Sequence, residues 1–153
     1  MDATGLSEEQ KELIRASWSL VRPGMRKHGH DLFVRIFEQN PEYMNVFDDF
    51  RNKSVAEIIG TSKLRGHGSV VMYNLASMVD AIDDPDCLEE IIVKVATRHR
   101  ERKVGESHFK NVNIILLGYL QDQLKEHFDE NTKAAWQILL NTFLDGIRRA
   151  QSN

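Results

Sequence analysis

Apolar residues recur every three or four positions along almost the whole 153-residue chain, and that period builds helices and little else. No sustained alternation marks a strand. Prolines at 23, 41 and 85 each interrupt the pattern. Ser7 with Gln10 forms a capping-box start. Behind it Ile14, Trp18 and Val21 mark a first helix that stops at Pro23-Gly24. The spacing predicts further helices over 25–39, 55–82, 87–100, 109–127 and 132–150, with a short helical turn around Tyr43, Met44 and Phe47. An all-α chain of about seven helices follows, expected to form one domain over 1–153 with short polar tails outside 7–148.

Two of these stripes contain a residue that does not belong in oil. The 55–82 segment carries Leu64, His67, Val71, Leu75, Met78 and Ile82 on one face; the 87–100 segment carries Leu88, Ile91, Ile92, Val95, Ala96 and His99. Burying an unpaired imidazole costs about 1–3 kcal/mol. A single inward histidine is ordinarily satisfied by a backbone carbonyl, but two on separate stripes call for a shared explanation. Neutral imidazole is the commonest metal ligand, so a metal centre in an apolar slot would supply one. Bare zinc suits the pattern poorly, because these stripes offer no third ligand, and His28 and His30 stand two apart and so do not share a helix face. Haem asks for less: its four ring nitrogens come with it, and the protein adds one or two axial ligands and apolar walls.

The bulk numbers exclude several other classes. A net charge of −3 gives no long-range pull toward nucleic acid or an anionic membrane. "RHRERK" is interrupted by Glu101 and lacks aromatic stacking platforms, so it is expected to be a solvated helix end. Cys87 is the lone cysteine, which fits a reducing compartment. "MDATGLSEEQKELI" has neither the basic start nor the apolar run of a signal peptide, and no segment approaches a membrane span, so cytoplasmic localisation is expected.

The residues around both histidines resemble those of globins, and the likeness runs from about Ser7 to Arg148. Trp18, the "HGHDLFVRIFEQNPEYMNVF" stretch with its proline and corner phenylalanine, "KLRGHG" and "VATRHRERKVGESHF" come in the family's order. "ELIRASW" and the His-Arg after the second stripe look most like neuroglobin and its relatives. This resemblance implies a globin fold of seven to eight helices around a pocket for haem b. It implies His99 as proximal iron ligand, His67 as distal residue, Phe47 against the porphyrin face, and Phe33, Val71, Val95, Val104 and Phe109 as pocket walls. Gly29 and Gly68 match the pair at which two globin helices cross closely, and the helix-interior Gly66 is expected to loosen its helix enough for His67 to reach iron.

Two departures bear on the propionates. Val70 stands where neuroglobin-like chains tend to have a lysine, and Asp49 replaces their corner tyrosine, leaving Arg98 or Lys103 as weak candidate anchors. The function implied is reversible binding of oxygen, carbon monoxide or nitric oxide, with bis-histidyl iron when unliganded and a role in sensing, redox chemistry or oxygen storage and transport. Alternatives are a haem redox enzyme acting on nitric oxide or nitrite with an electron-donating reductase, and a haem-free helical interaction module. Monomer or weak dimer is the expected state.

Overall fold

The computed structural model describes residues 2–152. Seven α-helices occur among them: α1 (Glu8–Val21), α2 (Met25–Gln39), α3 (Val55–Ile58), α4 (Ser62–Asp80), α5 (Pro85–Arg100), α6 (Glu106–Leu124) and α7 (Glu130–Gln151). Short 3-10 turns at Arg22–Gly24, Pro41–Val46 and Lys125–His127 join or end them, and no strand is present among the described residues. The starts are chemically marked. Ser7 accepts from the Gln10 amide while the Gln10 side chain reaches back, and Asp84 and Asp129 cap α5 and α7 through the amides of Cys87 and Thr132.

One expectation fails. The continuous helix over 55–82 is two helices, broken at Ile59–Gly60–Thr61. Gly60 sits at φ +78°, a left-handed conformation that glycine adopts without strain, and Thr61 restarts the helix by accepting from the Leu64 amide.

The helices pack in crossing pairs, α2 on α4 and α5 on α7, with α1 and α6 also against α7. The buried apolar residues form a contiguous cluster that includes Trp18, Phe37, Leu64, Met72, Trp136 and Ile147. At the α2–α4 crossing a Cβ on Gly29 would lie 2.3 Å from the Gly68 carbonyl oxygen, and one on Gly68 would lie 2.4 Å from the Gly29 carbonyl carbon. Only two facing glycines let the backbones come this close. That contact fixes α4 one residue beyond His67.

On α4 the buried residues are Leu64, Gly68, Met72, Ala76, Met78 and Val79, so in its first three turns His67, Val71 and Leu75 lie along the edge of the buried stripe. This offset turns His67 into a cavity beside the core.

Candidate functional site

His67 and His99 line the same cavity, reached from α4 on one side and α5 on the other. Its walls are mostly apolar: Phe33 and Phe37 from α2, Phe47 from the segment after the second 3-10 turn, Val71 from α4, and Phe109 and Val112 from α6. Val104, in the turn between α5 and α6, also lines it. The His67 ring is caged edge-on by Phe33 (4.4 Å between centroids) and Phe47 (4.5 Å), with Phe50 farther off at 6.2 Å. His99 meets Phe109 edge-on at 5.0 Å.

The two imidazoles differ in what their nitrogens do. Nδ1 of His99 lies 2.7 Å from the Val95 carbonyl oxygen, one turn back on α5. A carbonyl can only accept, so Nδ1 carries the hydrogen and Nε2 is left with a lone pair, the arrangement found behind metal-bound histidines. Nε2 of His67 is buried and has no hydrogen-bond partner. The indole nitrogen of Trp18 is orphaned too, but Trp18 packs against Trp136 in the core, whereas His67 lines the cavity. Burial holds both imidazoles below the ordinary histidine pKa, with His67 pushed down to about 4. Neutral rings with available lone pairs are what a metal ligand must be.

A second recess, about 260 Å3, lies on the other side of His67. It is polar, bounded by Asp49, Lys63 and Arg102, and Lys63 pairs with Asp49 at 3.6 Å. His67, Phe47 and Arg102 line both spaces, so an apolar chamber and a charged mouth share a wall.

Not every expected residue lines the cavity. Phe33, Phe47, Val71, Val104 and Phe109 do; Val95 is buried beneath it and contributes its carbonyl to His99. Arg98 is outside the lining, exposed, and donates from Nε to the Lys94 carbonyl at 3.3 Å. Lys103 is exposed in a left-handed turn (φ 61°). The cation at the cavity is Arg102. The amides of Arg102 and Val104 both donate to the His99 carbonyl, each at 3.0 Å, which curls the chain back and carries Arg102 to both the cavity and the recess. Its sequence signal was the three-residue spacing from His99, a same-face separation on a helix.

Tyr43 and His108 also escaped notice. Their rings meet at a tilt, 5.3 Å between centroids, in the cavity lining, and Asn111 donates to the Tyr43 hydroxyl at 3.1 Å. His108 stands four residues before Val112, already on the inward face, so its position was available from periodicity.

The globin family profile matches residues 30–147, about three quarters of the chain. The chain belongs to the globin family. A globin of Nerita albicilla is 31% identical over 146 residues, covering 95% of this chain and 93% of that protein. A neuroglobin of Tetraodon nigroviridis is 31% identical over 145 residues, covering 94% and 91%. The solved ferric myoglobin of Aplysia limacina superposes with a TM-score of 0.87 at 28% identity, over 95% of this chain and 99% of that one. Molluscan globin and neuroglobin are thus equally similar, and it is the family, not the neuroglobin subgroup, that the likeness establishes.

Globins pack their helices around a haem pocket, a geometry for which they are the standard example. The residues of this globin fit such a group in three respects: two neutral imidazoles with available nitrogens, aromatic and aliphatic walls, and a cation at the charged mouth. The enclosed space is about 120 Å3, below the roughly 300–1,000 Å3 of sites that hold a small molecule. The rings of His67, Phe33 and Phe47 are packed together on its wall.

Proposed function

We propose that this globin is a gas-binding haem protein in which His99 is the proximal iron ligand and His67 takes the other axial position when no gas is bound. The observation that carries this reading is the orphaned Nε2 of His67, buried in the cavity that His99 lines with its own Nε2 available. When bound, haem iron supplies reversible coordination of oxygen, carbon monoxide or nitric oxide. The protein's part is to hold His99 through Val95, to exclude water with Phe33, Phe47, Val71, Val104 and Phe109, and to present His67 beside the gas. Arg102 replaces Arg98 as the group that would steady the propionates at the charged mouth. Haem b is the form that fits, since a single exposed cysteine cannot make the paired attachments of a c-type haem.

An internal imidazole must be displaced before a gas can bind. Sensing, or redox chemistry on nitric oxide or nitrite with a reductase as electron donor, therefore suits the site better than bulk oxygen carriage. The chain would act as a single cytoplasmic globin unit, monomeric or weakly dimeric. No helix among the described residues is long and apolar enough to cross a membrane.

The test is the anaerobic visible spectrum of the reduced protein, before and after carbon monoxide. Sharp, split bands that collapse in His67→Leu are expected. One broad band before the gas would overturn the bis-histidyl arrangement, and no haem absorbance after haem is supplied would overturn the function.

A further inference from the structure

A larger cleft, about 610 Å3, lies outside the haem pocket, between the start of α2 and the first half of α4. Its volume falls in the range of small-molecule sites, but its chemistry is unlike the usual apolar pocket. Arg22, Arg26, Lys27 and Arg65 all line it, and no carboxylate does. In a chain of net charge −3, four cations around one opening make a local reversal of sign. Two of the four are tethered at neighbouring acids, Arg22 at Asp80 (2.9 Å) and Lys27 at Asp31 (3.0 Å). The Arg26 side chain has no ion pair or hydrogen bond among the described residues, and it is exposed.

The cleft is also built, not merely charged. His30 accepts the Gly60 amide at its Nε2 (2.9 Å), which ties the α3–α4 break to α2. The Gly60 carbonyl in turn accepts from Arg65 Nη1 (2.5 Å), holding that guanidinium at the rim. Tyr73, 63% exposed, stands on the same wall. Arginines from two helices line this cleft, Arg26 on α2 and Arg65 on α4, and a guanidinium donor to a phosphate oxygen makes a charge-assisted bond. An exposed phenol ring beside them offers a flat apolar surface on which a planar ring can stack.

We propose that this cleft binds a phosphorylated small molecule of nucleotide size, its phosphates on Arg26 and Arg65 and its ring against Tyr73. Calorimetric titration of the full-length protein with magnesium-free ATP, pyrophosphate and citrate tests this in chloride buffer. ATP is expected to bind more tightly than pyrophosphate, and citrate more weakly than either. Arg26→Gln with Arg65→Gln should weaken both phosphate ligands about tenfold or more, and Tyr73→Ala should weaken ATP alone. Lys94→Gln with Lys110→Gln, which removes the same charge from exposed positions outside the cleft, should change neither. Helical circular dichroism confirms that each variant is folded.

Failure of ATP and pyrophosphate to bind would overturn the proposal, as would an equal loss in the lysine control or equal binding of citrate. Binding to phosphatidylserine vesicles but to neither soluble phosphate would replace it with a membrane-surface role.

Discussion

At the scale of single residues, the site is visible as a stability defect. A buried imidazole nitrogen with no partner costs the folded protein about 1–3 kcal/mol, a cost that iron ligation would remove. His67→Leu is therefore expected to raise the stability of the haem-free protein by about that amount while removing the proposed second axial ligand. Urea unfolding of the haem-free variant measures the gain. A second half-buried imidazole away from the cavity, His28, shares a 2.7 Å hydrogen bond with the Tyr119 hydroxyl, and burial holds its pKa below the ordinary histidine value. An unfolded chain consequently takes up more protons at this position once the pH falls below about 6.5, so its contribution makes the fold weaken with acidification. The C2 proton of His28, followed by NMR, should titrate below pH 6.5, and a midpoint at or above that value would contradict the burial argument.

At the scale of elements, the two glycines of α4 that flank His67 have opposite roles. A Cβ on Gly66 would have nothing within 4 Å, whereas one on Gly68 would meet Gly29 and His30 backbone at 2.4–2.7 Å. Gly66→Ala should stabilise α4 by about 0.8–1.0 kcal/mol. If looseness at Gly66 lets His67 reach iron, the same change should speed carbon monoxide binding in stopped flow. Gly68→Ala should force the helices apart and cost several-fold more than Gly66→Ala gains, with loss of the native Tm as the readout. Much of this was legible in the chain: the helical period, the cap at Ser7, the glycine pair, and the two inward histidines. The break after α3 was legible too, since Ser54 and Glu57 form a capping box just before Gly60. The unbroken apolar stripe masked it. Phe50, 2% exposed and stacked on Phe47 at 5.7 Å, was not legible, because it sits in an irregular polar corner where no period applies.

At the scale of the whole molecule, the first residues act as a strap. Thr142 on α7 donates to the Thr4 carbonyl at 2.8 Å, Leu6 is 1% exposed, and Lys11, nearly buried, pairs with Asp2 at 2.6 Å and Asp83 at 3.2 Å. The strap thus joins α1, the α4–α5 corner and α7 far from the histidines. Leu6→Ala should cost about 2–5 kcal/mol of stability, measured by denaturant unfolding, and leave the visible spectrum of the loaded protein unchanged. The haem site depends instead on one joint in particular. Because Gly68 is clamped and Gly66 faces open space, His67 has a fulcrum on one side and slack on the other. If His67 binds iron as proposed, mutation at Gly66 would retune its reach without disturbing the helix crossing, and a lineage carrying this joint could diversify its gas kinetics while its architecture stays fixed.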